Sequence, residues 1–81
     1  MHNFITIKDE YNNIVAQEIT LTNKKISKSF THYAGFAFVN NSHTEQIDVW
    51  ANDMLSANMC INKICKNLYT TFTITDITHS N

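Results

Sequence analysis

SHTEQIDVWANDMLSANMCINKICKNL, residues 42–68, is the stretch of sequence that decides the fold. Its apolar residues are separated by alternating gaps of three and four, which is the spacing of one face of an α-helix. They are Ile47, Trp50, Met54, Ala57, Ile61, Ile64 and Leu68. Ser42 and Glu45 match the capping box that begins many helices. The stretch therefore predicts one long helix of about 25 residues that starts at Ser42.

The segments around this helix have the two-residue period of β-strands. They are residues 3–8, 14–22, 29–39 and 69–77. Gly35, inside the third strand, indicates a bulge or the close approach of another backbone. The order β-β-β-α-β predicts an α+β fold in which a mostly antiparallel four-stranded sheet carries one long helix on one face, as a single domain over residues 1–81.

The predicted helix is longer than the strands beside it. A helix of 25 residues spans about 38 Å, whereas a strand of eight residues spans about 27 Å. Part of the apolar helix stripe would then extend past the sheet. We expect a second copy of the chain or a partner protein to cover it.

The amino-acid composition of the chain disfavours some classes of function. The chain has 81 residues, 43% of them hydrophobic, and a net charge of −1. All six basic residues are lysines, so the side chain that best recognises phosphates and guanine edges is missing. Direct nucleic-acid binding is therefore disfavoured. The sequence has neither a run of about 20 apolar residues nor a basic and apolar leader, which predicts a cytoplasmic protein without a membrane segment.

His32 is the best candidate for chemistry, because a small nuclease could use a histidine with lysines as acid and base. The alternative is a half-buried histidine bonded to a backbone group. Burial of His32 against Phe30 and Phe36 would exclude the catalytic interpretation. His43 is expected to be an exposed residue of the first helical turn.

The two cysteines do not predict a metal site. Structural zinc prefers pairs of cysteines with two to four residues between them, and the four-residue gap between Cys60 and Cys65 points the two sulfurs apart on a helix. On a helix this spacing separates the thiols by about 140° around the axis, which also disfavours a disulfide. His43 and His79 could complete a zinc site only by chance, and we expect no metal or other cofactor.

The large apolar residues suggest core or interface roles. Trp50 and Met54 lie on the helix stripe and are expected in the core, whereas Met59 lies off the stripe and is the better interface candidate. The third strand carries several aromatic residues, as in sheets that stack nucleic-acid bases. They are Phe30, Tyr33, Phe36 and Phe38. Core packing is favoured for them because such base-stacking sheets usually place basic residues beside the rings.

Residues 43–50, HTEQIDVW, resemble the start of the helix that follows the strands in some anti-CRISPR proteins. These proteins are small α+β domains from phages and mobile elements. The resemblance implies a non-enzymatic inhibitor that binds the surface of a large host nucleoprotein complex. It covers eight residues and transfers no functional residue.

These observations favour a non-enzymatic protein-binding module whose partner is a larger protein or nucleoprotein complex. We expect its contact surface to include Lys24, Lys25, Lys28, Asp53, Met59 and Lys63. One alternative is a small nuclease or nucleic-acid-binding protein that uses His32 and the lysines. Another is a self-assembling structural subunit in which the helix stripe or the last strand pairs between copies.

Overall fold

The computed structural model describes residues 4–80 and has an α+β fold. Five strands form one antiparallel sheet in the order β1-β2-β4-β3-β5, and one helix packs on it. The elements are β1 (Thr6–Lys8), β2 (Ile14–Glu18), β3 (Thr31–Val39), β4 (His43–Ala51), α1 (Met54–Leu68) and β5 (Phe72–Ser80). Asn3, which begins the first predicted strand, lies outside the described residues.

The prediction of four strands is wrong, because residues 43–51 form a strand and not the first turns of the helix. Ile47, Val49 and Ala51 are buried at every second position, which is the period of a strand. The helical spacing from Ile47 to Met54 was therefore a coincidence. Asn40 and Asn41 adopt left-handed conformations that turn β3 back into β4, and all nine residues of β4 then pair with β3.

The helix begins at Met54, so the capping box predicted at Ser42 and Glu45 is also wrong. Asp53 is the N-cap, and its carboxylate accepts the backbone N–H of Ser56 at 2.8 Å. Fifteen residues give a helix of about 22 Å, shorter than the roughly 30 Å of a nine-residue strand. The helix therefore does not extend past the sheet, and no overhanging apolar stripe requires a second copy or a partner to cover it.

The core lies between α1 and one face of the sheet. Ala57, Ile61 and Ile64 of the predicted stripe are buried there, together with Cys60 and Cys65. Gly35 permits this packing, since a Cβ at that position would lie 2.6 Å from Cδ1 of Ile61. The close approach indicated at Gly35 is thus made by a helix side chain.

Several large side chains lie outside this core. Met54 is 43% exposed, so its assignment to the core is wrong, and Trp50 is half-buried. Trp50 belongs to β4 and Met54 is the first residue of α1, so the two do not share a helix face. Of the predicted core aromatics, Phe30 and Tyr33 are buried, whereas Phe38 is 41% exposed.

The helix start can be tested with two alanine substitutions. Asp53→Ala removes the cap and should lower the free energy of unfolding by about 1 kcal/mol. Ser42→Ala should change it by less than about 0.5 kcal/mol, because Ser42 lies in the exposed turn before β4. Urea unfolding followed by circular dichroism measures both. A larger effect of Ser42→Ala than of Asp53→Ala would contradict the assignment of the cap.

Candidate protein-binding surface

Residues 19–30, here called the crossover loop, carry the chain from β2 to β3. The loop is needed because β4 lies between these two strands. Its middle is fixed by Gln17, whose side chain is fully buried. Gln17 Nε2 donates to the backbone oxygen of Lys24 at 3.1 Å, and Oε1 accepts the backbone N–H of Ile26 at 2.7 Å. The buried amide is thus paired through both its oxygen and its nitrogen, and it ties the loop to the sheet.

The first part of the crossover loop is a tight turn closed by Asn23. Its Oδ1 accepts the backbone N–H of Thr20 at 2.9 Å, and its Nδ2 donates to the backbone oxygen of Glu18 at 2.7 Å. The Thr20 hydroxyl in turn accepts the backbone N–H of Asn23 at 3.2 Å. Leu21 lies within this closed turn and is fully exposed. An apolar side chain is therefore displayed on a backbone that hydrogen bonds hold in place.

The rest of the loop adds positive charge and a second exposed apolar side chain. Lys24, Lys25, Ile26 and Lys28 are all exposed. The sequence has no acidic residue between Glu18 and Glu45, so these lysines have no neighbouring carboxylate along the chain. We call the five residues Leu21, Lys24, Lys25, Ile26 and Lys28 the basic loop surface. A depression of about 610 Å³ borders it, lined by Phe4 and residues 20–23.

The predicted contact residues fall into two groups. Lys24, Lys25 and Lys28 lie together on the crossover loop. Ser29 donates to the side chain of Asn52 at 2.8 Å, which brings the end of this loop to the helix start beside Asp53. Met59 and Lys63 lie elsewhere, where they line a depression of about 320 Å³ between α1 and β1.

The sequence interpretation missed Leu21 and Ile26. Residues 14–22 alternate like a strand, which placed Leu21 on its apolar face, but β2 ends at Glu18. Thr20 and Asn23 indicate a turn here, because their side chains commonly close turns through backbone hydrogen bonds. The apolar alternation of residues 14–22 instead favours a strand, and the structure shows that the turn is correct.

His32 lies on the sheet face opposite α1 and bonds to a carboxylate. Its Nε2 is 2.8 Å from Oδ1 of Asp48, and the two side chains are 41% and 36% exposed. His32 is thus not buried against Phe30 and Phe36. Burial there would have excluded a catalytic role for His32, so that role is not excluded on this ground. His43 begins β4 and not a helix, and its Nε2 lies 2.7 Å from Oε1 of Glu45.

The cysteines are free thiols, and both are buried. Burial raises the pKa of Cys60 to about 12, with a further contribution from the charge of Glu18 that the nearby Lys63 opposes. Burial also raises the pKa of Cys65. Thiols with raised pKa values stay protonated at neutral pH and are poor nucleophiles. Within residues 4–80, no three histidine, cysteine or acidic side chains are grouped closely enough to hold a metal.

Comparison with other proteins does not assign this chain to a family. No protein-family model, curated protein or solved structure matches it. Across the described residues, α1 is too short and too polar to cross a lipid bilayer.

Replacing Gln17 tests how the crossover loop is held. Gln17→Met keeps the volume but leaves Lys24 C=O and Ile26 N–H without their partner, and should cost about 2 kcal/mol of unfolding free energy. Gln46 is an exposed glutamine of the same sheet. Gln46→Met should therefore lower the free energy of unfolding by less than about 0.5 kcal/mol. Hydrogen exchange should be faster at the Ile26 amide in Gln17→Met only. An unchanged Ile26 exchange rate would show that another contact holds the loop.

Proposed function

We propose that this chain is a non-enzymatic protein-binding module that contacts its partner through the basic loop surface. The observation that carries the proposal is Leu21, fully exposed on the turn that Asn23 closes. Full burial of a leucine side chain contributes about 1.5–3 kcal/mol. Because the turn is already ordered, binding would lose little of this gain to ordering of the backbone. Leu21 therefore has the properties of an anchor residue.

The lysines that follow Leu21 in the crossover loop indicate the chemistry of the partner. Three lysines lie within the five residues from Lys24 to Lys28, and no carboxylate adjoins them in the sequence. Complementary charge accelerates encounter and selects among partners more than it adds affinity. The matching surface would be an apolar pocket with an acidic rim. A large host nucleoprotein complex, inhibited by occupation of its surface, is one partner of this kind. The resemblance to anti-CRISPR proteins does not support it, because residues 43–50 form strand β4 and not the start of a helix.

A small nuclease or nucleic-acid-binding protein is the second candidate. It is favoured by the accessible pair of His32 and Asp48, since a histidine held by a carboxylate can exchange protons with a substrate. The lysines of the basic loop surface could then contact phosphates. We rank this function second, because lysine recognises phosphate only as a point charge and the chain has no arginine.

Self-assembly through the last strand ranks below both. β5 lies at the edge of the sheet, where a second copy could pair with it. Its register with β3 shifts between Phe36 and Ala37, and Thr75 turns its hydroxyl to the backbone oxygen of Phe36 at 3.1 Å. The next residue is the charged Asp76. Bulges and charges of this kind oppose the pairing of edge strands.

Affinity capture from cells that contain the natural partner tests the proposed function. The tagged wild-type chain should recover a partner complex, and Leu21→Ser should reduce the recovery about tenfold, as expected for losing 1.4 kcal/mol or more. Tyr11→Ser is the matched control, because Tyr11 is also exposed but lies in the turn between β1 and β2. Recovery should also fall when the salt concentration is raised, since exposed charges are screened.

Two results would contradict this proposal. Equal recovery by the wild type and Leu21→Ser would show that the basic loop surface is not the contact. Recovery of nucleic acid without protein, lost in His32→Ala but not in Leu21→Ser, would establish the second candidate instead.

A further inference from the structure

One half of β4 has a strand on only one side. β3 pairs with β4 along its whole length, from His43 to Ala51. β2 pairs only with Val49 to Ala51, and one further bond joins the Ile19 N–H to the Asp48 oxygen before the chain turns away. Among the described residues, no strand lies beside residues 43–47 on the β2 side.

The hydrogen-bond alternation of antiparallel strands identifies the backbone groups on this side. Asn52 N–H donates to Val15 and Asp48 C=O accepts from Ile19, so even-numbered residues of this part of the chain face β2. Thr44 and Gln46 continue the series. The N–H and C=O groups of both residues therefore point to the side that lacks a strand, and they form a row to which another strand can bond.

A small notch with mixed polar and apolar walls adjoins this row of backbone groups. Its volume is about 240 Å³, and its apolar walls are Ile19, Ile47, Ile64 and Leu68. Sites for small molecules and cofactors are usually larger, at about 300–1,000 Å³. A notch of this size beside a free strand edge fits the side chains of an added strand better than a cofactor.

Negative charge lies on both faces of this edge. Glu18 lines the notch, whereas the Asp48 carboxylate projects to the opposite face, where it bonds to His32. No basic residue lines the notch. Tyr69 completes the lining, and its pKa is raised chiefly by burial and secondarily by the charge of Glu45 and by Cys65. A lysine or arginine on an added strand would complement this charge.

The β4 edge differs from the β5 edge in being open to pairing. The register of β4 with β3 is continuous over nine residues, whereas β5 carries a bulge next to Asp76. A regular edge keeps its donors and acceptors in line, and a bulge breaks that line.

We propose that the free edge at Thr44 and Gln46 binds an extended segment of a partner protein as an additional strand, antiparallel to β4 and in line with β2. Side chains on the helix side of this segment are apolar and enter the notch, and the segment also carries lysine or arginine. Backbone bonds would supply affinity and the notch would supply specificity, as in other cases of strand addition. This site is separate from the basic loop surface and does not depend on it.

The test uses a synthetic peptide, acetyl-Lys-Val-Lys-Ile-Lys-Val-Lys-amide, and the full chain labelled with ¹⁵N. The peptide should shift the amide signals of Thr44 and Gln46 and slow their hydrogen exchange about tenfold. A peptide of the same composition without alternation, acetyl-Val-Val-Ile-Lys-Lys-Lys-Lys-amide, should not do so. Leu21→Ser should bind the alternating peptide as the wild type does, which separates this site from the proposed function.

Gln46→Pro provides the matched variant. It removes an N–H that does not bond to β3, so proline at this edge position is compatible with the sheet. Binding should weaken at least about tenfold in Gln46→Pro but persist in Gln46→Thr. Peptide-induced changes at β5 or the crossover loop instead of β4, equal binding by Gln46→Pro, or no change in the wild type at millimolar peptide would each overturn the proposal. The wild-type measurement decides the question even if Gln46→Pro does not fold.

Discussion

The position of the crossover loop depends on the buried side chain of Gln17. Because β4 lies between β2 and β3, the chain must cross from one strand to the other through a long connection. Gln17 holds that connection through Lys24 and Ile26, and its own side chain is fully buried. A buried amide that lost these partners would cost more than its bonds contribute when formed, so the loop and the sheet are coupled. The same topology produces both the basic loop surface and the free edge of β4. The crossover loop exposes Leu21 just after β2 ends. Because the chain turns away from the sheet at this point, half of β4 has no strand on the β2 side.

The fold class could be predicted from sequence alternation, but the strand count could not. The strands around β3 and the buried stripe from Ala57 to Cys65 follow the expected periods. β4 was missed because its Ile47 and Trp50 continue the helical spacing of α1 by chance. The burial of Val49 between them shows which period is real, and burial follows from pairing with β3, which is distant in sequence. The sequence of residues 43–51 alone does not show that they pair with β3.

The candidate surface was predictable only in part. The lysines at 24, 25 and 28 could be recognised as an exposed cluster from sequence, since no acidic residue is near them. Leu21 could not, because an isolated leucine is usually buried and its exposure depends on where β2 ends. The pair formed by His32 and Asp48 joins two strands, and the free edge of β4 exists only because β2 is short. These features arise from tertiary pairing and have no local sequence pattern of their own.

The central claim is that the crossover loop displays Leu21 on an ordered backbone before any partner binds. The most direct test is ¹⁵N relaxation of the free chain, comparing the amides of residues 20–28 with those of β3 and β4. The hydrogen bonds of Gln17 and Asn23 predict order parameters of about 0.85 in the loop, equal to those of rigid backbone. Values below about 0.6 would contradict the account, because Leu21 would then belong to a flexible loop that must be ordered on binding.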